Sequence, residues 1–358
     1  MLRSARSFGG NWAVVMTGGK GTRFWPESRV KQPKPFLKLI GNKTLLEGTI
    51  HQLAPFFPPS RIVIVLQDFL IPKTRHLFPK IPRENFLGEP VQRNTAPCCV
   101  YAAAQISRRD PDAKIIFLPA DQYIWPRSLY VKTLKTAFQI VDERPVLLGM
   151  RPDSPHTGYG YLELDLKKKR INGISHFVVK RFREKPGLAE ARRFLKRGNF
   201  LWNGGTFVWR LDAFKEAIQK HMPELFRAWK SLSSTAPVKK SFYQTLPSIS
   251  LDYAVMEKMK NVHCLEAPFQ WKDVGGWPSL AEFWPADKKG NRFRGTTLFV
   301  DASDNIVKSS DRLVALLGVQ NYVVIDTPDA LLICPRSETE RLREVVGALE
   351  KRKALRYL

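Results

Sequence analysis

The segment best suited to bind phosphate is a glycine-rich stretch near the N-terminus. It follows the apolar run Trp12–Thr17 and has the sequence Gly18-Gly19-Lys20-Gly21-Thr22-Arg23. Glycines let backbone N–H groups approach phosphate oxygens closely, and several such donors together form an anion site. The spacing matches neither the dinucleotide-binding G-x-G-x-x-G pattern nor the Walker pattern, which disfavours both classes. Because Arg23 and the nearby Lys34 add positive charge, the stretch is predicted to hold a triphosphate.

Two aspartates are candidate ligands of a divalent cation. Asp121 follows the apolar run Lys114–Leu118, and Asp273 comes much later in the sequence. A single aspartate more often belongs to a turn or a helix cap. Mg²⁺, however, prefers oxygen ligands and usually takes one or two carboxylates together with substrate phosphates. The motifs around the two aspartates therefore decide how they are interpreted.

Seven motifs, in the same order along the chain, resemble the signature of sugar-1-phosphate nucleotidylyltransferases. The segment Phe24–Arg29 (FWPESR) is in particular similar to that of the mannose-1-phosphate guanylyltransferases within this family. The motifs cover residues 18–37, 89–97, 119–121, 158–161, 182–186, 202–205 and 271–277. Because so many ordered matches are highly specific, the chain is identified as a member of this family, and the likeness continues into the C-terminal segment.

The resemblance implies a reaction, its substrates and a set of site residues. The reaction is the transfer of GMP from GTP to α-D-mannose 1-phosphate, which gives GDP-mannose and pyrophosphate, with Mg²⁺ as the cofactor and a homodimer as the assembly. The implied catalytic residues are Arg23, Lys34 and Lys185, and the implied metal ligands are Asp121 and Asp273. The implied nucleotide-binding residues are Gly18, Gly19, Gly21, Thr22, Glu89, Asn94 and Thr95, and the sugar-binding residues are Gly160, Glu184 and Asn203.

Two positions, 89 and 122, need a closer look at their chemistry. A glutamate at position 89 can accept hydrogen bonds from guanine N1–H and N2–H₂, a pair of donors that uracil and thymine lack. The family usually has a histidine after the first metal-binding aspartate, whereas this sequence has Gln122. We expect that difference to affect the surroundings of the metal more than the activity.

Three alternatives to this function remain. A sister enzyme for another sugar phosphate or nucleotide would keep the glycine-rich stretch and both aspartates. A catalytically silent regulatory homologue would be expected to lose some of the charged residues, and this chain keeps them. A nucleic-acid-binding protein is suggested by charge alone, because 58 Lys and Arg residues against 33 Asp and Glu residues give a net charge of +25.

Strands and helices alternate in the first part of the chain. Continuous apolar runs at residues 12–17, 61–66, 114–118 and 145–150 predict buried strands. Helices are predicted from Leu45 to Phe57, where Thr44 and Glu47 form a capping box, and over residues 95–108 and 131–142. This alternation predicts an α/β fold with a mostly parallel, Rossmann-like sheet, in which ligands bind beyond the carboxyl ends of the strands.

The pattern changes after about Trp284. Short β-rich segments separated by Asn, Asp and Gly follow one another, and residues 338–357 then predict a helix. We therefore predict an N-terminal extension over residues 1–11, a catalytic domain over 12–284, and a β-solenoid-like domain with a final helix over 285–358.

Composition excludes several classes of protein. The hydrophobic content of 44% is that of a globular chain, and the sequence has no apolar run of membrane-spanning length. The four cysteines have no metal-binding spacing, which indicates reduced thiols and a cytoplasmic protein.

Overall fold

The computed structural model describes residues 10–19 and 21–358. The predicted N-terminal extension, residues 1–11, therefore lies outside the described residues except for Gly10 and Asn11. Lys20 of the glycine-rich stretch also lies outside them.

The α-helices of the described residues follow one another along most of the chain. They are α1 (Leu45–Leu53), α2 (Ile71–Leu77), α3 (Thr95–Ser107), α4 (Arg127–Ile140), α5 (Leu188–Arg197), α6 (Leu211–His221), α7 (Pro223–Arg227), α8 (Trp229–Leu232), α9 (Lys240–Thr245), α10 (Leu251–Ala254), α11 (Trp277–Ala281) and α12 (Leu342–Lys351).

The β-strands of the same residues are short in the C-terminal part, whereas the longest strands before it have 10 and 11 residues. They are β1 (Asn11–Met16), β2 (Ile62–Gln67), β3 (Phe86–Glu89), β4 (Lys114–Pro119), β5 (Gln122–Trp125), β6 (Val146–Met150), β7 (Tyr161–Leu164), β8 (Lys169–Ile171), β9 (Ile174–Arg183), β10 (Phe200–Arg210), β11 (Val262–Glu266), β12 (Gln270–Asp273), β13 (Arg292–Arg294), β14 (Thr297–Val300), β15 (Ile306–Lys308), β16 (Val314–Leu317), β17 (Tyr322–Asp326) and β18 (Leu331–Pro335).

The chain forms two compact units. The first contains the described residues up to 18 together with 50–120 and 124–271, and the second contains 19–49, 121–123 and 272–358, apart from Lys20. These units reflect contacts in the structure and do not decide where sequence domains begin, so the predicted division into residues 12–284 and 285–358 stays a prediction.

A ten-stranded sheet forms the centre of the first unit. Its strand order is β3-β2-β1-β4-β10-β6-β11-β9-β7, and β8 pairs with β9. Strands β3, β2, β1 and β4 are parallel, as are β6 and β11, whereas β10 is antiparallel to both of its neighbours, β4 and β6. The prediction of a mostly parallel sheet is therefore wrong, and the sheet is mixed. Continuous apolar runs show that both faces of a strand are buried, but they do not determine the direction of the strand.

Helix α3 packs against this sheet and is buried along almost its whole length. Its residues Ala96–Ala104 are all less than 9% exposed. A helix that is apolar on every side is stable only inside a core. Its N-terminus, at Asn94 and Thr95, is consequently held in a fixed position.

Most of the predicted elements are found, with small differences at their ends. The capping box before α1 is confirmed, because Thr44 N donates to Glu47 Oε2 at 2.8 Å and Glu47 N donates to Thr44 Oγ1 at 3.1 Å. The helix ends at Leu53 and not at Phe57. Pro55 explains this, because the residue before a proline is disfavoured in the helical conformation.

The C-terminal strands of the second unit form two small sheets. The larger has the order β13-β15-β17-β18, in which the first three strands are parallel and β18 is antiparallel to β17. The smaller pairs β14 with β16 in parallel. Asn291 and Asn305 directly precede β13 and β15, and both are fully buried. They connect these two segments, since Asn305 Nδ2 donates to Asn291 Oδ1 at 2.9 Å. The predicted β-rich character is confirmed.

The motif Phe24–Arg29 packs into the core of the second unit. Phe24 lies edge-on to Trp277 with a ring-centroid distance of 5.4 Å, and Leu342 of α12 belongs to the same buried cluster. Trp25 Nε1 donates to the carbonyl oxygen of Tyr357 at 2.9 Å. The chain around the glycine-rich stretch is therefore fixed by C-terminal residues of its own unit.

Two further observations concern membrane-spanning helices and the state of the cysteines. No helix among the described residues has the length and apolar character needed to span a membrane. All four cysteines lie in the described part of the chain and are free thiols, and Cys98, Cys99 and Cys264 are buried.

Candidate active site

The glycine-rich stretch has the backbone conformation that its composition predicts. Gly19 and Gly21 have φ values of 99° and 63°, in the left-handed region that favours glycine. A Cβ atom on Gly21 would lie only 2.6 Å from the Cβ of Lys34, so this position also needs glycine for space. Ser28 Oγ fixes the turn by donating to the Gly21 carbonyl oxygen at 2.7 Å. The turn thus brings the stretch directly against Lys34.

Lys34 lies between the two aspartates that were predicted as metal ligands. Its Nζ is 2.7 Å from Asp121 Oδ2 and 3.7 Å from Asp273 Oδ1. The lysine side chain is only 9% exposed, so the three charged groups meet in a partly buried environment. Asp121 lies between β4 and β5, and Asp273 is the last residue of β12. Three distant segments therefore converge on one ammonium group.

The two aspartates fit a magnesium ion in number and chemistry. They supply carboxylate oxygens that face a common cationic centre, and Mg²⁺ commonly uses one or two carboxylates and keeps several waters. The described residues contain no cluster of three or more His, Cys, Asp or Glu side chains that could form a complete protein cage. That donor set suits an ion which is completed by substrate phosphates and water.

Arg23, the other predicted cation of this unit, is paired with a C-terminal glutamate. Its Nη1 lies 3.2 Å from both carboxylate oxygens of Glu340. The same nitrogen would be 3.5 Å from a Cβ on Gly275, which places the guanidinium beside the segment that carries Asp273. The structure therefore brings Arg23, Lys34, Asp121, Asp273 and Gly21 together in the second unit.

The predicted sugar-binding residues meet in the first unit. Asn203 N donates to the Gly160 carbonyl oxygen at 2.8 Å, and a Cβ on Gly160 would lie 2.5 Å from Glu184 Oε2. Lys185 has a φ of 44°, which is uncommon for a residue with a side chain, and its Nζ is 3.2 Å from Glu184 Oε1. The absence of a side chain at Gly160 thus leaves room for the Glu184 carboxylate.

The Glu184 carboxyl group is buried in an environment that favours its neutral form. Burial, and then the nearby charge of Asp252, raise its pKa to about 7. Its Oε2 is buried and has no hydrogen-bond partner among the described residues. Buried polar atoms are rarely left in this state, and a ligand is one explanation for such an atom. The unsatisfied oxygen beside Gly160 marks a place where a hydroxyl group could donate.

The predicted base-binding residues lie at the end of β3 and the start of α3. Glu89 is 5% exposed, and Tyr243 Oη donates to its Oε1 at 2.7 Å. Burial raises the pKa of Glu89 to about 7. Asn94 Oδ1 caps α3 by accepting from Thr95 N, and Thr95 Oγ1 accepts from Leu251 N, both at 2.9 Å. Glu89 thus has one carboxylate oxygen committed to the protein, and its role in reading a base stays a prediction.

Sequence reasoning missed several residues around these groups. Asp252 accepts from Asn203 Nδ2 at 2.8 Å, and Glu257 Oε1 accepts from Glu184 N at 2.7 Å. Tyr243 and Glu340 were also missed. The tertiary fold creates all of these contacts, so no local spacing could have revealed them; the acidic residues of the segment 251–257 were the one available signal.

The remaining predicted residues, Gly18 and Thr22, belong to the glycine-rich stretch. Gly18 follows β1, and Thr22 begins a short 3₁₀ helix that ends at Phe24. The metal-binding candidates and the other residues of the glycine-rich stretch thus lie in the second unit, whereas Gly18, Lys185 and the base- and sugar-binding candidates lie in the first.

The fold and these residue groups are those of a nucleotide-transferring α/β enzyme. The family model "Nucleotidyl transferase" matches residues 12–290, and the chain belongs to this family. A second model, "MannoseP isomerase/GMP-like beta-helix domain", matches residues 295–349.

Relatives within the family carry more specific names. Mannose-1-phosphate guanylyltransferase 2 of Escherichia coli O157:H7 is 30% identical over 97% of this chain and 75% of its own length. Mannose-1-phosphate guanylyltransferase of Klebsiella pneumoniae is 32% identical over 96% of this chain and 75% of its own length. The crystal structure of mannose-1-phosphate geranyltransferase from Thermus thermophilus is 34% identical with a TM-score of 0.85, and the match covers 95% of this chain and 99% of that one.

Proposed function

We propose that the protein transfers GMP from GTP to α-D-mannose 1-phosphate and releases pyrophosphate. The observation that carries this proposal is the convergence of Lys34, Asp121 and Asp273, which are supplied by three separate segments. The choice of substrates is supported by relatives named mannose-1-phosphate guanylyltransferases that match nearly the whole chain.

The reaction is an in-line displacement at the α-phosphorus of GTP. An oxygen of the sugar phosphate forms a bond to that phosphorus, and the bond from it to the bridging oxygen of the β-phosphate breaks. Pyrophosphate leaves with the electron pair. Because the nucleophile is already an anion, no strong general base is needed, and catalysis consists mainly of positioning and charge stabilisation.

The basic residues neutralise charge at defined positions in this proposal. Arg23 and Lys34 bind the triphosphate, together with the backbone N–H groups of the glycine-rich stretch. Lys185 binds the incoming phosphate, and its ammonium group lies 3.2 Å from Glu184 Oε1. Cations that are preorganised in this way stabilise the transition state without a cost of reorganisation.

Asp121 and Asp273 would hold the Mg²⁺ ion. When bound, the ion neutralises charge on the phosphates. Lys34, which contacts both carboxylates, offsets the repulsion between these two aspartates.

Sugar and base would be selected by the groups of the first unit. Glu184 accepts hydrogen bonds from mannose hydroxyls, and Asn203 and the backbone at Gly160 orient the ring. Glu89, Asn94 and Thr95 bind the guanine. Glu89 accepts through its ionised form, and with a pKa of about 7 that form increases over the neutral pH range.

Pyrophosphate release from GTP tests the proposal. We expect rapid release with mannose 1-phosphate as the acceptor, and much slower release with glucose 1-phosphate or with ATP, UTP or dTTP in place of GTP. Faster turnover with another pair of substrates would identify a sister enzyme. No turnover with any pair would contradict catalysis altogether.

A further inference from the structure

The ion pair between Arg23 and Glu340 joins a proposed catalytic cation to the C-terminal part of the second unit. Glu340 lies in a 3₁₀ helix, Arg336–Arg341, directly before α12. Arg23 Nη1 is 3.2 Å from each of its two carboxylate oxygens. A single guanidinium nitrogen thus faces a whole carboxylate, an arrangement that a phosphate group could replace.

Buried neighbours hold both partners in place. Phe24 follows Arg23 and is fully buried, while Leu342 lies two residues after Glu340 and is 2% exposed. Phe24 and Leu342 belong to the same hydrophobic cluster. On the other side of Glu340, Thr339 is 6% exposed. The backbones that carry the two charges are therefore fixed by packing, although the side chains themselves are 44% and 74% exposed.

The neighbouring arginine has other partners. Arg341 pairs with Glu338 at 2.7 Å and with Glu344 at 2.9 Å. The carboxylate of Glu340 pairs with Arg23. Glu338 offers a comparison, because it lies in the same 3₁₀ helix and pairs with a different arginine.

We propose that Glu340 holds the place of a phosphate group at Arg23 when no nucleotide is bound. This inference rests on the proposed function, which gives Arg23 to the triphosphate. Binding of a polyphosphate then exchanges one anion for another at the same guanidinium, and release of pyrophosphate lets Glu340 return. Glu340 thereby weakens polyphosphate binding and keeps Arg23 in position between turnovers.

The size of the effect follows from the exposure of the pair. Exposed ion pairs are weak and are screened by salt. Glu340→Gln keeps the size of the side chain but removes its charge, so it should tighten polyphosphate binding by about two- to fivefold at low ionic strength. The difference should shrink as salt is added.

Calorimetric titration of the full chain with inorganic tripolyphosphate tests this inference. Tripolyphosphate has no base and no sugar, so the result does not depend on which nucleotide the enzyme prefers. We expect tighter binding to the Glu340→Gln variant than to the wild type, and wild-type binding to the matched control Glu338→Gln. In an Arg23→Ala background, Glu340→Gln should have no effect.

The outcomes separate the two proposals. Unchanged or weaker binding to Glu340→Gln would overturn the exchange, as would an equal effect of Glu338→Gln. If Arg23→Ala binds tripolyphosphate as well as the wild type does, the assignment of Arg23 to the triphosphate fails, and the exchange fails with it. If Arg23→Ala binds weakly but Glu340→Gln behaves as the wild type does, only the exchange is wrong.

Discussion

Glu89 is a buried carboxyl group whose titration links stability to pH. Its ordinary pKa of 4.5 rises to about 7 in the folded protein because the side chain is removed from water. Between these values the folded protein holds a proton that the unfolded chain has lost. The free energy of unfolding should therefore fall as the pH rises from about 4.5 to 7, by at most about 3 kcal/mol from this group.

Glu89→Gln should remove this contribution, because glutamine does not titrate. Denaturant unfolding of the wild type and the variant at several pH values measures it, with the exposed Glu338→Gln as the control. The pKa of Glu184 is also about 7, so this residue likewise lowers the free energy of unfolding as the pH rises. That contribution remains in the Glu89→Gln variant. Parallel pH profiles for the wild type and Glu89→Gln would show that Glu89 is not protonated in the folded protein at these pH values.

Arg23→Ala should reduce turnover by on the order of 10²-fold, because it removes a preorganised cation from the developing negative charge. The control is Arg341→Ala, which also removes an exposed arginine from ion pairs in the same unit. Near-wild-type turnover in a folded Arg23→Ala protein would remove this residue from the site.

Single residues could be predicted from the sequence where their partners are neighbours in the chain. Glu184 and Lys185 are adjacent in the sequence, and their side chains pair in the structure. Tyr243 and Asp252 approach Glu89 and Asn203 only after the chain has folded. Their chemistry therefore has no signature in local spacing.

The glycine-rich turn is the element whose conformation can be tested most cleanly. Gly21→Ala puts a Cβ atom 2.6 Å from that of Lys34 and forces alanine into a left-handed conformation. The conformation alone costs roughly 1–2 kcal/mol. Gly41→Ala is a matched control, since Gly41 has a φ of 65° with open space around its Cβ position.

We expect Gly21→Ala to lose much more activity than Gly41→Ala, because only the first substitution displaces Lys34. Rates of pyrophosphate release and thermal unfolding of both variants measure the difference. Equal losses in the two variants would mean that the contact with Lys34 does not matter for catalysis.

Apolar runs located strands β1, β2, β4 and β6, and the capping box located the start of α1, because hydrophobic runs and capping residues can be recognised within a short segment. The other strands of the sheet, β10 among them, were not predicted. Strand direction was not predictable in this way. Strand β10, for example, is buried like its neighbours but is antiparallel to them. The order of the strands in the sheet depends on long-range pairing, which the hydrophobic pattern does not encode.

The net charge of +25 acts on the molecule as a whole. Both proposed substrates are anions, so the field should speed their association, and salt should screen it. We expect kcat/KM for GTP to fall severalfold between low and physiological ionic strength. Sucrose at matched viscosity is the control, and a rate that is independent of salt would show that the charge does not serve substrate capture.

The convergence of Asp121 and Asp273 was predicted from the resemblance and not from spacing, because nothing local relates two segments so far apart in the chain.

The central claim is that these aspartates hold one Mg²⁺ beside Lys34 during nucleotidyl transfer. The most direct measurement is the rate of pyrophosphate release against Mg²⁺ concentration for the wild type, Asp121→Asn and Asp273→Asn, with Asp329→Asn as a carboxylate control in the same unit. Asparagine keeps the shape and an oxygen ligand but loses the charge that holds a hard cation. We predict folded proteins in which both site variants are much slower, need more Mg²⁺ and are partly rescued by it, while Asp329→Asn follows the wild-type curve. A wild-type rate and Mg²⁺ curve for Asp273→Asn would contradict the two-carboxylate site.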